Sequence, residues 1–319
     1  MHWLFRYACL TWICLYFVAH PAAPAFAQDA CSAPVALAMD YDDRGRPLVT
    51  VTIENKTESM LLDIGGGRSA LEMDLVRELG LPQVYSEIGM TAVTGESSNM
   101  ATRAGAFALG AIEKHDIALM ILPGFDYELS PGEPGGILAL DFFAGNDLAF
   151  DFMSNEFLVL ASRACAQAFD GNSTEGSAVI PILETASDFI TVPVFLDGVE
   201  FVGLLDTGAE YSVLNLDIAA RQFGIDVSRP DDQMILADSF GYVDIYERRF
   251  AELKIGDVTL AEPRFRLFPD LLRGNQRVIL NGEEMRLPQM ILGMDVLRAF
   301  DLYLSPDAQL AVFTKRSIQ

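Results

Sequence analysis

Histidine is almost absent from this chain, which has three among its 319 residues. Two of them, His2 and His20, stand near the start, so His115 is the one histidine in the body of the chain. A Ser-His-Asp or Cys-His site needs a histidine base, and common zinc sites use several His or Cys ligands. The sequence therefore predicts neither kind of site. We interpret His115, where a polar turn leads into an apolar strand, as a solvated residue.

Basic residues are scarce as well, because 22 Lys and Arg stand against 45 Asp and Glu, for a formal net charge of −23. Such an acidic chain repels phosphate groups, which argues against binding nucleic acid or an anionic lipid surface through bulk electrostatics. We therefore predict no nucleic-acid partner, and the shortage of histidine and cysteine separately predicts no metal site.

Long apolar runs are missing except at the start of the chain. Arg6 precedes an uncharged apolar run that extends to Ala19, and Ala25-Phe26-Ala27 has the small-residue pattern of a cleavage site. This predicts a signal peptide over residues 1–27, and hence a periplasmic or secreted protein with no integral membrane segment after cleavage. The alternative is an uncleaved membrane anchor.

Cysteine is limited to four residues, and Cys9 and Cys14 fall within the predicted signal. Cys31 and Cys165 remain, an even pair in an oxidising compartment, and we predict that they form a disulfide. It would join the start of the mature chain to a segment near the middle of the sequence and so close a long loop in the unfolded state. The alternative is two unpaired thiols, because a sequence does not fix the distance between two Cα atoms.

The chain contains one sequence unit that occurs twice, as an internal repeat. The stretch LLDIGGGRSALEMDLVRELGL, residues 61–81, returns as LLDTGAEYSVLNLDIAARQFGI, residues 204–225, and a constant offset pairs Asp63 with Asp206 and Gly65 with Gly208. Further on, the segment GGILALDFFAGNDLAF of the first copy corresponds to QMILGMDVLRAFDLYL of the second. The second copy carries a polar insertion at about residues 269–288. Self-similarity of this kind predicts two homologous structural units.

The repeat sets the predicted domain organisation. We place lobe one at residues 40–162, a connector rich in small residues at 163–186, and lobe two at 187–319. Each lobe has short alternating strands, with turns such as Glu54-Asn55 and Asp197-Gly198, which predicts an all-β, bilobal fold of barrel type.

A few short helices interrupt the predicted strands. One follows each Asp motif, where Gly80 and Gly224 are suited to end it, and one follows each later apolar segment.

The repeated aspartate is the candidate for chemistry. In the second copy the apolar run from Phe201 to Leu205 leads straight into Asp206, and Gly208 permits a tight turn after it. A carboxylate at the end of a buried strand is costly unless it is hydrogen-bonded or functional.

At these residues the chain resembles the aspartic peptidases, and more closely the retropepsin-like group. The family signature stands in lobe two as Asp206-Thr207-Gly208-Ala209 and Ile291-Leu292-Gly293. The resemblance implies a bilobal body like that of pepsin, in which Asp63 and Asp206 meet in a cleft and hydrolyse peptide bonds without a cofactor. The implied partner is a protein or peptide substrate, and the implied state is a monomer whose lobes form an intramolecular pseudo-dimer.

The resemblance also assigns supporting roles around the pair. It implies active-site turn support at Ile64, Gly65, Ala139, Thr207, Gly208, Ala209 and Gly293. It further implies a mobile hairpin flap, for which the candidate tips are Thr94-Gly95 and Phe240-Gly241-Tyr242. The alternative for both tips is an ordinary exposed hairpin.

Lobe one departs from the family pattern in three places. Ile64 stands where a Thr or Ser hydroxyl would bond to the opposing loop, and we expect the loss of that bond to weaken alignment of the pair. Gly66-Gly67 are expected to loosen the turn, and Ala139 replaces a glycine and adds a methyl near it. Neither Ala209 nor Gly66 offers a hydroxyl, so we expect a pH optimum less acidic than that of pepsin.

These departures leave other hypotheses open. The chain could be a pseudopeptidase, a peptide-binding or regulatory module in which Asp63 is a structural relic. Alternatively, two second lobes could pair between chains, with lobe one as scaffold, although the tethered first lobe supplies its own aspartate at high effective concentration.

Overall fold

A computed structural model describes residues 34–91, 97–122, 133–162, 176–183, 189–229, 234–240, 243–268, 277–280, 283–286 and 289–316. Three sequence predictions lie wholly outside the described residues: the signal peptide, the disulfide between Cys31 and Cys165, and the loop tip Thr94-Gly95. So do Gly241, Tyr242 and much of the insertion at 269–288. Phe240 is described only as the last backbone position of a strand.

The described residues form a mostly β structure with three short α-helices. The first half contains β1 (Val35–Ala38), β2 (Asp40–Tyr41), β3 (Pro47–Ile53), β4 (Lys56–Leu62), β5 (Ala70–Leu71), α1 (Met73–Glu78), β6 (Val84–Thr91), β7 (Ser97–Leu109), β8 (Ile112–Ile121), β9 (Gly136–Leu138), a 3-10 turn (Leu140–Phe143), β10 (Asn146–Asp151) and β11 (Glu156–Ala161).

The second half repeats this order. It contains β12 (Ser177–Pro181), β13 (Thr191–Leu196), β14 (Val199–Leu205), β15 (Val213–Asn215), α2 (Leu216–Phe223), β16 (Met234–Phe240), β17 (Val243–Arg249), β18 (Glu252–Ile255), β19 (Val258–Ala261), β20 (Arg264–Phe268), β21 (Arg277–Leu280), β22 (Glu283–Arg286), β23 (Met290–Leu292), α3 (Met294–Leu297), β24 (Phe300–Ser305), a 3-10 turn (Pro306–Ala308) and β25 (Leu310–Lys315).

Lobe one closes into a barrel. Its sheet runs β2-β3-β4-β9-β5-β8-β7-β6, and an additional pairing of β3 with β7 joins the ends of the six central strands. The alternation of buried and exposed residues in β3 explains why one face of this strand enters the barrel. Glu54 has a positive φ of 55° in the tight turn to β4, which is the turn expected from the sequence.

Lobe two forms the same ladder but stays open. Its sheet runs β16-β17-β20-β15-β23-β14-β13-β18-β19. The single strands β7 and β8 of lobe one correspond to two pairs of shorter strands, which are interrupted at Phe250-Ala251 and at Glu262-Pro263. Pro263 has no N–H to donate to a ladder, and Glu262 takes a positive φ of 50°, so the strand cannot continue through them.

The helices and their ends follow the sequence expectations. Gly80, which follows the C-cap residue Leu79 of α1, has a φ of 63°, and Gly224, which caps α2, has a φ of 67°. Both conformations are left-handed and favour glycine. At the start of α2 the Asn215 side chain accepts a hydrogen bond of 3.0 Å from the N–H of Ile218. The bilobal all-β fold is thus confirmed.

A six-stranded antiparallel sheet joins the lobes. Its order is β1-β11-β10-β24-β25-β12, so three strands come from each half of the chain. The lobes meet where β10 pairs with β24, with Leu148 opposite Leu304 and Phe150 opposite Leu302. Strand β1 lies before the predicted start of lobe one, and β12 lies within the segment predicted as connector.

A buried carboxylate lies at this junction. Asp147 on β10 is fully buried and accepts hydrogen bonds from Tyr303 Oη at 2.5 Å and Ser305 Oγ at 2.7 Å, both on β24. Its counterpart in the repeat, Asp301, pairs instead with Arg316 at 2.8 Å. The two central strands therefore carry equivalent carboxylates with different partners, and that of Asp147 links the lobes.

No helix in the part of the chain that the structure describes is long and apolar enough to cross a bilayer.

The hydrogen bonds of Asp147 predict a loss of stability in Tyr303→Phe. This change removes one of two hydroxyl donors from a buried carboxylate, and we expect the free energy of unfolding to fall by about 1–3 kcal/mol. Urea denaturation measures the effect, with Tyr85→Phe as the control because Tyr85 is 75% exposed. Equal stability of the two variants would contradict a linking role for Asp147.

Candidate active site

Two equivalent strands deliver the repeated aspartates to the junction of the lobes. Strand β4 ends at Leu62 and β14 at Leu205, and each strand runs parallel to a short neighbour, β9 or β23. The N–H of Asp63 donates to Leu138 O, and that of Asp206 to Leu292 O, both at 3.0 Å. The backbone at the two aspartates is therefore fixed in the same way in each lobe.

The turns that follow pack crosswise against each other. A Cβ added to Gly65 would lie 2.2 Å from Asp206 Cγ, and one added to Gly208 would lie 2.6 Å from Asp63 Cγ. Only glycine permits this approach of one turn to the carboxylate of the other. The two carboxyl groups therefore face each other, close enough that a hydrogen bond between them contributes to their pKa values. The structure thus brings together the two aspartates that the repeat singled out.

Backbone N–H groups hold one oxygen of each carboxyl. Gly65 N and Gly66 N each donate to Asp63 Oδ1 at 2.9 Å, and Ala209 N donates to Asp206 Oδ1 at 3.0 Å. These bonds leave the second oxygen of each group for its partner or for a water molecule. Gly66 is therefore engaged in the turn, which is more ordered than the glycine pair suggested.

Burial raises the pKa of both carboxyl groups, but unequally. For Asp206, burial is followed by the charge of Asp63 and by the shared hydrogen bond, and together they raise its pKa well above the usual range. Burial also raises the pKa of Asp63, while its hydrogen bonds with Asp206, Gly66 and Gly65 act in the opposite direction. Two backbone N–H groups donate to Asp63 Oδ1 and one donates to Asp206 Oδ1, which favours the ionised form at Asp63, so we assign the shared proton of the pair to Asp206.

One hydroxyl ties the active-site turns together. Thr207 Oγ1, fully buried, donates to Leu62 O at 2.5 Å and accepts from Ile64 N at 3.1 Å. The side chain of Ile64 is also fully buried and belongs to the hydrophobic core. A hydroxyl at position 64 would make the equivalent bonds from lobe one to lobe two, and Ile64 removes only these. The two bonds from Thr207 of lobe two to the backbone of lobe one remain.

The other two departures are complementary. A Cβ on Gly66 would lie 3.3 Å from the methyl of Ala139, closer than two methyl groups pack comfortably. In lobe two, Ala209 is equivalent to Gly66 and Gly293 is equivalent to Ala139. The methyl group there belongs to the active-site turn, and the glycine belongs to the segment that packs against it. A Cβ on Gly293 would lie 2.6 Å from the backbone of Tyr211. Each lobe thus carries one methyl at this contact, on opposite sides.

A serine and an aspartate brace each turn from behind. Ser69 Oγ donates to Asp141 Oδ1 at 2.6 Å and accepts from Ala139 N at 3.0 Å. Ser212 repeats both bonds with Asp295 and Gly293, also at 2.6 and 3.0 Å.

The sequence reasoning aligned Asp141 with Asp295 but gave them no role, and it missed both serines. The constant offset of the repeat, which pairs Ser69 with Ser212 as it pairs the two aspartates, was the signal that could have identified them.

His115, which the sequence analysis interpreted as a solvated residue, takes no part in this cluster. His115 lies within strand β8 rather than in a turn, and its side chain is exposed as expected. Among the described residues, no group of three or more His, Cys, Asp or Glu could hold a metal ion.

The complementary methyl groups predict a measurable coupling. Gly66→Ala should destabilise the protein by about 1 kcal/mol or more through crowding against Ala139 and Asp63. Adding Ala139→Gly should recover most of that loss, so that the double variant is more stable than the sum of the single effects predicts. Denaturation of the four proteins gives the coupling energy, and Gly293→Ala, which clashes with backbone, should not be rescued by Ala209→Gly. Additive effects at 66 and 139 would contradict the packing described.

The raised pKa of Asp206 predicts how stability depends on pH. Because its pKa is higher in the folded protein, the stabilisation from Asp206 is fully present below the unfolded value of about 4 and is lost as pH rises through the folded value. Asp206→Asn does not titrate there, so its stability relative to wild type should improve by on the order of 1 kcal/mol between about pH 4 and pH 7. Urea unfolding at both pH values measures this difference. An unchanged difference would contradict the elevated pKa.

Comparison with known proteins agrees with the geometry. A family profile described as aspartyl protease matches residues 49–142 and again residues 192–296. No curated protein matches the sequence. Each matched segment contains one aspartate of the pair, the turn after it and the bracing serine, and together the segments cover more than half of the chain. The chain therefore belongs to the aspartyl protease family.

Proposed function

We propose that this protein is an exported aspartic endopeptidase that hydrolyses peptide bonds with Asp63 and Asp206. The observation that carries the proposal is the meeting of two carboxyl groups, one from each lobe, each packed against the glycine turn that follows the other. The family match supports a peptidase, and the apolar start of the sequence supports export to the periplasm or the outside. The substrate is a protein or peptide segment that binds in extended form.

The unequal carboxyl groups suit opposite roles. Asp63, which ionises first, takes a proton from a water molecule while the water oxygen bonds to the peptide carbonyl carbon. Asp206, which holds its proton, gives that proton to the carbonyl oxygen, and a neutral tetrahedral intermediate forms. In the second step Asp63 passes its proton to the leaving nitrogen as the C–N bond breaks. Asp206 recovers a proton from one hydroxyl of the intermediate, which restores the starting state.

The departures in lobe one are compatible with activity. Ile64 leaves the bonds of Thr207 to lobe one in place, and the Gly66 turn still donates to Asp63. Ala139 occupies space that Gly66 leaves free. Each feature that raised the hypothesis of a pseudopeptidase therefore has a local compensation, and both carboxylates remain in contact.

Substitution of each aspartate tests the proposal. We expect the mature wild type to cleave a denatured protein mixture, and Asp63→Asn and Asp206→Asn each to lower kcat/KM by roughly 10²-fold or more, because each removes an acid-base group. Peptide release is measured from about pH 3 to pH 8. Asp217→Asn, a change at an exposed position on α2, is the matched control and should cleave like wild type.

Other outcomes of this experiment would support the alternative hypotheses or contradict all of them. Loss of activity in Asp206→Asn alone, with a dimer in solution, would favour pairing of second lobes between chains. An inactive wild type that still binds a transition-state-like peptide inhibitor would favour the pseudopeptidase. A wild type that neither cleaves nor binds such a peptide would contradict both.

A further inference from the structure

An arginine of lobe one reaches the active-site turn of lobe two. Arg46 lies at the end of the turn that precedes β3, and its Nη1 donates to Gly208 O at 3.4 Å. Its Nε and Nη2 contact Asp42 Oδ2 at 2.7 and 2.6 Å, which fixes the direction of the side chain. The two side chains are 20% and 6% exposed, so this ion pair is largely shielded from water.

The position equivalent to Arg46 in lobe two is uncharged. The offset that pairs Asp63 with Asp206 leads from Arg46 to Phe189, and a Cβ added to Gly67 would lie 3.6 Å from Phe189 Cε1. Each lobe thus sends one side chain from this position to the turn of the other lobe. One is a guanidinium and the other is a phenyl ring, so the surroundings of the pair are electrically asymmetric.

We propose that Arg46 is a positioning residue that keeps the negative charge of the pair on Asp63 and thereby leaves the proton on Asp206. That Arg46 decides which aspartate acts as base and which as acid rests on the proposed peptidase function. Its effect on where the negative charge lies does not, because that is a property of the protein without substrate.

The contact path explains why the effect falls on Asp63. Gly208, which accepts from Arg46, is the residue that packs against the Asp63 carboxyl, so closely that a Cβ added to Gly208 would lie 2.6 Å from Asp63 Cγ. Because Arg46 holds its positive charge beside Gly208, and Gly208 packs against the Asp63 carboxyl, this charge favours the ionised form of Asp63. Accordingly the charge of Arg46 lowers the pKa of Asp63.

Other charged groups near the pair do not supply this asymmetry. Asp141 and Asp295 stand behind the two turns in equivalent places, and neither is among the main causes that shift the pKa of Asp63 or Asp206. Arg68 is exposed, and Glu210 hydrogen-bonds with Tyr211. Asp42 opposes Arg46 in part, since its carboxylate lies against the guanidinium. The net effect is therefore smaller than that of an unpaired arginine.

The test follows the two carboxyl groups directly. The carboxyl carbons of ¹³C-labelled aspartate are titrated by NMR in the full mature protein, with Asp63 and Asp206 assigned from Asp63→Asn and Asp206→Asn. Arg46→Met removes the charge and Arg46→Lys retains it. Phe189→Met is the matched control at the equivalent position of lobe two. We expect Arg46→Met to move the titration of Asp63 to higher pH, Arg46→Lys to move it less, and Phe189→Met to leave it in place.

Kinetics give a second readout. The acidic limb of kcat/KM reports protonation of the base, so Arg46→Met should lower kcat/KM by roughly threefold to tenfold at a pH on that limb and far less on the plateau. A purely structural role would lower activity equally at every pH. Arg46→Lys should restore most of the loss on the acidic limb.

The outcomes separate the inference from the proposed function. An Asp63 titration that is unchanged in a folded Arg46→Met would overturn the inference. If that variant does not fold, Arg46→Gln decides, because it removes the charge but keeps a hydrogen-bond donor for Gly208 O, and it should also move the Asp63 titration to higher pH; no movement, or movement downward, would overturn the inference. If the titrations shift as expected but wild type cleaves no peptide, the proposed function fails and the charge assignment stands.

Discussion

The crosswise contact of the two active-site turns is the constraint on which the rest of this structure depends. It places two acidic groups against each other, one buried and one half-buried, an arrangement that costs free energy through desolvation and through mutual repulsion. The surrounding fold offsets this cost. Bracing serines fix each turn, backbone N–H groups hold the carboxylates, and the shared antiparallel sheet prevents the lobes from drifting apart. The stability of the interface between the lobes is therefore a requirement of the site as well as of the fold.

The two lobes are alike in scaffold and unlike at the centre. The parallel strand pairs that deliver the aspartates are equivalent in both lobes, and so are the serine-aspartate braces, whose hydroxyl bonds measure 2.6 and 3.0 Å on either side. Around the carboxyl groups, in contrast, the lobes differ in three ways. Only Thr207 of lobe two supplies a hydroxyl at its position, the methyl group belongs to Ala139 in lobe one but to Ala209 in lobe two, and only lobe one directs a charged side chain, Arg46, at the opposing turn. A symmetric frame thus supports an asymmetric pair, in which one member is suited to accept a proton and the other to give one.

The sequence predicted the fold well because a repeat with a constant offset specifies strand order, turn positions and helix ends together. It predicted the pair for the same reason, since Asp63 and Asp206 occupy identical places in the unit. It failed where the answer depends on contacts between residues far apart in the chain. Ile64 was expected to weaken the alignment of the pair through the loss of one hydroxyl bond, but Thr207 still bonds to Ile64 N and Leu62 O. Arg46 drew no attention because its acceptor, Gly208 O, is 162 residues away.

The one-sided connection through Thr207 shows what covalent linkage of two copies permits. In a dimer of identical chains, every substitution appears on both sides of the axis, so an isoleucine at this position would remove both hydroxyls at once. In a single chain each copy can change alone. Position 64 has thereby become part of the hydrophobic core, while the hydroxyl at position 207 makes the hydrogen bonds that join the two turns. Duplication followed by such division of labour allows the packing of one lobe to be improved without giving up the alignment of the centre.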